Sequence, residues 1–385
     1  MTTIENSLYR IVLIVAAMVS VAASAQPVLA DGVNNFTQTN LVSDIPGLAV
    51  TTDSDLVNPW GVSFGPTSPF WVSDNGTGLA TLYNGAGDKI PLVVSVPPPP
   101  GGAPPSAPTG QVFNSTSSFG GSHFIFATED GTIASWTGGT SAVLDYSSPV
   151  GAVYKGLAMG NSGGNSYLYA TDFHNGTIDV FDSTFSKVTL GGSFTDPNLP
   201  AGYAPFNVQN IGGKLYVTYA VQDAAKHDDV AGPGHGFVDV FDLQGNLIQR
   251  LISGGSLNSP WGMAVAPAGF GKFGTDLLIG NFGDGTINAF DMSTGNFLGQ
   301  LDGTNGLPIV NLGLWDLTFG NGGNGSSTSD LYFTAGIPGP DQVEDHGLFA
   351  SIAPTPTPEP GTLMLLGSGL FGLIARRRMR ANSIA

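Results

Sequence analysis

Two stretches of the chain hold the side chains best suited to bind a metal ion. VQDAAKHDDVAGPGHG (221–236) carries His227, Asp228, Asp229 and His235. AGIPGPDQVEDHG (335–347) carries Asp341, Glu344, Asp345 and His346. Imidazoles and carboxylates together suit Zn, Mn or Fe. A second set, Asn58, Asn207, Asn258 and Asp316, lies in or beside four related segments and offers amide and carboxylate oxygens to a divalent ion of the Ca, Mn or Zn kind. Oxygen ligands also crowd TDFHNG (171–176) and GNFGDG (280–285), but neither runs on to the bidentate Glu that completes a calcium loop. Thiolate chemistry is excluded because the chain has 0 Cys. There is no Gly-x-Ser-x-Gly elbow, and no Gly-x-Gly-x-x-Gly before a helix, so neither an activated serine nor a dinucleotide cradle is indicated.

These residues must be positioned by a repeat. LLIGNFGDGTINAFDMSTG (277–295) reads as an apolar strand, an Asp-Gly turn and a second strand. Related copies are DNGTGLATLYN (74–84), EDGTIASWT (129–137), HNGTIDVFD (174–182), GHGFVDVFD (234–242) and DHGLFASI (345–352), each after an apolar run. Asn-Gly and Asp-Gly supply the positive φ that a tight hairpin needs. One face of the second strand carries an aromatic column, Tyr83, Trp136, Phe181, Phe241 and Phe290, with Ile352 in the last copy. The other face is also apolar, which predicts sheets stacked on both sides.

A further strand precedes each copy. NPWGVSF (58–64), SPWGMAV (259–265) and GLWDLTF (313–319) are plainly related; VYKGLAM (153–159), APFNVQN (204–210) and PTGQVFN (108–114) are weaker members. A repeat of this length built from short strands predicts an all-β, six-bladed β-propeller. The last copy is one strand short, and NFTQTNLV (35–42) has no partner of its own. It is expected to supply the outer strand of blade six and close the ring, leaving no open edge. Trp60, Trp261 and Trp315 are expected to pack between blades in preference to stacking on sugars. PPPPGGAPPSAPT (97–109) reads as a stiff surface connection between blades one and two. The two His-bearing loops fall on the same face of the ring as Asn58, Asn207, Asn258 and Asp316. Blade five lies between them, so a shared metal site would require both loops to arch over the channel; solvated polar loops are the reading that the sequence favours.

The domain plan is a signal peptide (1–30), the propeller (31–353), a Pro-rich linker (354–360) and an apolar segment with an Arg cluster (361–380). Arg10, the apolar run 11–23 and the small residues of ASA (23–25) and VLA (28–30) fit a secretory leader, with cleavage preferred after Ala30. The net charge of −17 disfavours nucleic acid and anionic lipid as partners. An exported chain without disulfides is consistent with the repeat supplying its own large core.

The C-terminus has three parts in order: Pro358-Glu359-Pro360, a Gly/Leu-rich apolar stretch (361–375) that is short for a full membrane span, and Arg376, Arg377, Arg378 and Arg380. This arrangement resembles the PEP-CTERM sorting signal. The resemblance implies export in a Gram-negative bacterium that makes exopolysaccharide. It also implies transient anchoring in the inner membrane through a C-terminal helix, and processing by an exosortase-type enzyme. The final location would be the periplasm, outer surface or extracellular matrix. The body, through its NPWG and DGTI-x-x-FD elements, is similar to bacterial NHL-like propellers, and more closely to an exported propeller family of unassigned function.

Two functions are compatible with these residues. The first is a non-enzymatic exported propeller that binds exopolysaccharide or a surface protein. The second, implied by the resemblance to propeller lactonases and lyases, is an enzyme with a divalent metal in the central channel. Asn58, Asn207, Asn258 and Asp316 would then form the ring, and Asp228 and His235 would contribute from above.

Overall fold

The computed structural model describes residues 35–340 and 343–355. Within them the chain folds as an all-β propeller of six sheets, antiparallel apart from two short parallel pairings of the closing strand. The first five blades each have four strands in chain order. Blade one illustrates the pattern: Pro59–Ser63 innermost, then Phe70–Asp74, Leu79–Tyr83 and Val94–Ser95. The innermost strands of the other blades are Pro108–Phe113, Tyr154–Ser162, Tyr203–Ile211, Pro260–Val265 and Leu314–Phe319. Each contacts the innermost strand of the next blade, and blade six returns to blade one, so the ring is closed. The expected aromatic column lies between the sheets: Tyr83, Phe181, Phe241, Phe290 and Ile352 are all buried, with Trp136 half-buried at the edge.

The ring is sealed as the sequence predicts. Asn35–Ser43 runs antiparallel to His346–Pro354, from Phe36 opposite Pro354 to Ser43 opposite Leu348. It is the outer strand of blade six. Its Phe36 is buried, 4.9 Å from the Phe270 ring and stacked at 6.2 Å on Phe273, both from blade five. The closing strand thus binds two blades at once.

All six innermost strands share one irregularity. A register break falls at Pro59/Val62, Pro108/Gln111, Tyr154/Gly156, Pro205/Asn207, Pro260/Met263 and Leu314/Leu317. Such a bulge re-aims the side chain it carries. Residue two of five of these strands, Trp60, Thr109, Lys155, Trp261 and Trp315, and residue four of the blade-four strand, Phe206, occupy that place. The residue after it is Gly in four blades, because there the neighbouring strand arrives at backbone contact. A Cβ on Gly110 would lie 2.3 Å from the Leu157 amide nitrogen. In blades four and six the place is taken by Asn207 and Asp316, whose side chains instead hydrogen-bond to the next blade. Asn207 Nδ2 donates to the Trp261 carbonyl at 2.8 Å, and Asp316 Oδ2 accepts from the Val62 amide at 2.7 Å.

The leader (1–30), the sorting tail (361–380) and Asp341 lie outside the described residues. Among the described residues no helix is long and apolar enough to cross a membrane.

Truncating the sealing residue tests closure. Phe36→Ala should destabilise the propeller by about 3–5 kcal/mol, as large-to-small changes of buried aromatics do. Denaturant unfolding monitored by tryptophan fluorescence measures it, and a loss under ~1 kcal/mol would mean that the strand is not part of the cooperative unit.

Candidate functional site

The axis of the propeller is filled near its upper end, where the 221–236 and 335–347 loops lie. Trp60 stacks on Trp315 with ring centroids 3.4 Å apart, and Trp261 meets both edge-on at 6.0 and 5.8 Å. Phe206 reaches Trp315 from across the ring at 5.9 Å. The tryptophans therefore pack between blades as expected, and do so at the axis. Trp315 Nε1 donates to Asn58 Oδ1 at 3.0 Å. The Nε1 atoms of Trp60 and Trp261 are buried without a hydrogen-bond partner.

Lys155 holds the sixth part of this plug. It stands where three other blades have Trp, is 1% exposed, and places its ammonium 5.0 Å from the Trp60 ring centroid. A buried ammonium costs several kcal/mol unless it is paired. Two acids pair it: Glu129, from the turn after the second strand of blade two, and Asp228, from the blade-four loop at 3.3 Å. Burial works against the ammonium, but the charges of Glu129 and Asp228 outweigh it and hold Lys155 above the ordinary lysine range. The contacts continue in both directions. Asn75 Nδ2 donates to Glu129 Oε2 at 2.8 Å, Asn58 Nδ2 lies 3.4 Å from Asn75 Oδ1, and His227 Nδ1 lies 2.9 Å from Asp228 Oδ1. A polar arc thus crosses the mouth from blade six to the blade-four loop.

That arc rearranges the sites expected from sequence. Among the described residues, the group whose ligand atoms converge, all within 4.8 Å of one another, is Glu129, His227 and Asp228. It contains neither Asp229, His235 nor His346. The two histidines occupy matching structural positions. Their carbonyls accept from the first residues of the next blade, Ser259 at 2.8 Å and Asn58 at 3.3 Å. The glycine after each admits that blade's proline: a Cβ on Gly347 would lie 2.8 Å from Pro59 Cδ, and one on Gly236 2.6 Å from Pro260 Cδ. Their rings turn elsewhere, His235 Nδ1 to the Val230 carbonyl at 2.9 Å and His346 Nδ1 to Asp44 at 2.7 Å. The shared His-Gly ending is a joint between blades.

The four-residue ring is likewise split. Asn58 holds Trp315. Asn258 accepts from the Gly232 amide at 2.7 Å and roots the long loop. Asn207 and Asp316 lie beyond the plug and face the opposite end of the channel. The turn fragments use their oxygens internally: Asp172 takes the Asn175 side chain at 2.7 Å, and Asp284 takes Thr286 at 2.6 Å.

Glu344 of the blade-six loop lies near enough to the blade-four loop to feel its charges. Glu344 is held above the usual carboxylate range by burial and then by the negative charges of Asp228, Asp229 and Glu129. Asp228 is held down at about 2, first by its hydrogen bond from His227 and also by Lys155. Asp229, beside Ser259 with one carboxylate oxygen buried and unpartnered, is pushed up to about 6 by burial. Lys155 and Glu129 escaped the sequence reading because Glu129 sits in an ordinary turn and Lys155 in a divergent strand. The available signal was a charged residue at a repeat position that is otherwise mostly aromatic.

Two measurements follow. Lys155→Met should destabilise the fold by about 1–3 kcal/mol by leaving partly buried Glu129 without its ammonium partner. Unfolding in denaturant reads this, and a neutral result would dissolve the arc as a structural unit. Asp229 at about 6 and Asp316 at about 7, the latter raised by burial, hold protons in the folded state that the unfolded chain releases near its ordinary value of about 3.9. Their stabilisation is present at low pH and lost as pH rises through these folded values. His227 and His346, both raised by carboxylate partners, act in the same sense. The melting temperature should fall from pH 5 to pH 8, and Asp229→Asn should shrink that fall; a flat or rising profile contradicts the assignment.

Comparison with known proteins gives the chain its relatives. Residues 356–378 match the PEP-CTERM protein-sorting motif. That motif is a sorting signal of exported proteins in Gram-negative bacteria and implies an exosortase-type processing partner. Among solved structures, a streptogramin B lyase is similar with a TM-score of 0.50 at 12% identity, covering 83% of this chain and 98% of that one. A Bacteroides thetaiotaomicron protein of unknown function is similar with a TM-score of 0.51 at 13% identity, covering 83% and 76%. At such identity these likenesses show the propeller fold alone. In sequence, Uncharacterized protein L690 of Acanthamoeba polyphaga mimivirus is 33% identical over 332 residues, covering 81% of this chain and 84% of that protein. Uncharacterized protein R648 of the same virus is 32% identical over 317 residues, covering 77% and 76%. The chain belongs to the family that includes these two mimivirus proteins, and joins to it a PEP-CTERM tail.

Proposed function

We propose that the protein is an exported binding propeller of the cell surface or exopolysaccharide matrix, released from its membrane tail by an exosortase-type enzyme. Its partner is an exopolysaccharide or a surface protein. The observation that carries this reading is the filled axis. At the place where a channel enzyme would hold a metal, Trp60, Trp261, Trp315 and Phe206 pack together. The amides and carboxylates of Asn58, Asn207, Asn258 and Asp316 are engaged in joints between or within blades.

A second reading, a metal-dependent lactonase- or lyase-like enzyme, is favoured by one observation, the convergence of Glu129, His227 and Asp228. The donor set fits a divalent ion in type. Its charge, however, is already answered by the Lys155 ammonium, which a metal would have to displace.

One set of measurements separates the two. The purified propeller should bind exopolysaccharide or surface protein isolated from the producing cells, and its melting temperature should not change with millimolar Ca, Mn or Zn. A rise of several degrees that disappears in the Glu129→Gln, Asp228→Asn double variant would replace the binding reading with the enzymatic one. Fractionation tests the address: chain lacking 356–385 should leave the envelope fraction, whereas intact chain found in the cytoplasm would end the proposal.

A further inference from the structure

Beyond the aromatic plug, the opposite end of the channel opens into a cavity of about 390 Å³. It faces away from the long loops, on the side of the Gly-rich spacers. The innermost strands of all six blades contribute to its wall. The floor is formed by Trp261 with Asn207 and Asp316. Higher up, half-exposed Phe64, Phe113 and Met159 give apolar surface, while Ser63, Gln209 and Thr318 give hydroxyl and amide groups.

Three features of this wall point to one class of ligand. First, it contains no Lys, Arg or His, and its one ionisable side chain is Asp316. An anionic ligand would find no counter-charge there, in a chain whose net charge is already −17. Second, it has hydrogen-bonding capacity left over. Gln209 Oε1 has no partner in the protein and is closed to solvent as the side chain stands, but the side chain is partly exposed in the wall, and turning its amide toward a ligand would pair that oxygen. Both Asp316 oxygens accept one backbone amide each, from Val62 at 2.7 Å and Leu317 at 2.8 Å, and each keeps further accepting capacity in a residue that lines the cavity. By contrast, Gln111, also in the wall, is consumed by the Gly61 and Trp71 carbonyls and by Ser63. Third, polar groups alternate with aromatic and thioether surface, which suits a ring with hydroxyls at its edge and an apolar face.

The cavity also has an extension. A second hollow of about 340 Å³ shares Gln209, Asn210 and Thr318 with it and continues over Ile211, Val265 and Phe319 on the rim. A ligand whose end occupies the first space can therefore continue outward along the second.

We infer that this end of the channel is a binding site for the end of an uncharged or amino-sugar polysaccharide chain, with one sugar in the cavity and the following sugars along the rim hollow. The inference rests on the binding function proposed above and names its ligand class. Asp316 and Gln209 receive hydroxyl or amine hydrogens at the floor and wall, and Phe64 or Phe113 lies against the sugar face. Uronic-acid and sulfated polymers are excluded by the lack of a cation. Burial raises Asp316 to about 7, so near neutral pH it can accept from the ligand or donate to it without requiring a charged partner.

The test uses the full propeller and short oligomers of glucose, galactose, glucosamine and N-acetylglucosamine, with an oligomer of galacturonate as the anionic control. Binding is read by calorimetry and by the fluorescence of Trp261 at the floor. At least one uncharged or amino-sugar oligomer should bind, more tightly as it lengthens from one sugar to several, while galacturonate should not. Gln209→Leu and Phe64→Ala should each weaken binding about tenfold or more. Val143→Thr, exposed on the outer strand of blade two, should leave binding unchanged. Circular dichroism and melting confirm that each variant is folded; if Phe64→Ala fails to fold, Gln209→Leu decides alone. Oligosaccharide binding that survives Gln209→Leu, or that is lost in Val143→Thr, overturns the site while the binding function stands. Binding of galacturonate in preference to the others overturns the ligand class. A propeller that binds a surface protein and none of the sugars overturns this inference and keeps the broader function; one that binds neither sugar, matrix nor surface protein removes both.

Discussion

Six strands must come within backbone contact around a single axis, and most of the molecule follows from that crowding. Where neighbouring strands touch, a side chain has no room, so four of the six carry glycine at the contact. The other two, Asn207 and Asp316, replace steric absence with a hydrogen bond to the next blade. One residue earlier, the bulge turns a large side chain inward, and the axis is filled by Trp60, Trp261, Trp315 and Phe206. Aromatic pairs at these separations add about 0.5–1.5 kcal/mol each beyond their buried area. The plug therefore contributes to ring stability and also divides the channel into two chambers with different chemistry.

The two chambers differ because of what each blade contributes beyond the repeat. The upper one is charged. Lys155 replaces a tryptophan, and burying its ammonium requires Glu129 and Asp228, which in turn order His227, Asn75 and the loop that crosses the mouth. This arc is fully engaged in holding itself together. The lower chamber is nearly uncharged, lined by amides, hydroxyls and aromatic edges, and retains unused hydrogen-bonding capacity at Gln209 and Asp316. A surface whose polar groups are already paired gains little by binding; one with unpaired buried groups gains the bonds it lacks.

Closure by the N-terminal strand explains how so many short strands persist without disulfides. The chain has 0 Cys, and each blade by itself would expose two edges. Pairing Asn35–Ser43 with His346–Pro354 joins the two ends of the ring in one sheet, and Phe36 fastens that sheet to blade five. The ring is thus held by its own packing rather than by covalent cross-links.

Much of this was legible in the residues alone. Asp-Gly and Asn-Gly turns between apolar runs determined the hairpins, because few other residues adopt the required positive φ. The number of copies determined the number of blades, and the unpaired segment 35–42 determined how the ring closes. Local chemistry sufficed for each. What tertiary structure decided is where side chains point. Spacing along a strand does not report the angular position of that strand around the axis, nor which side of the plug a residue occupies. Asn58 and Asn207 therefore looked alike and fell on opposite sides. His235 and His346 looked like ligands, yet their carbonyls join blades while their rings turn away. Lys155 and Glu129, distant in sequence and plain in their local settings, became partners only when the ring brought blades two and three together around a buried charge.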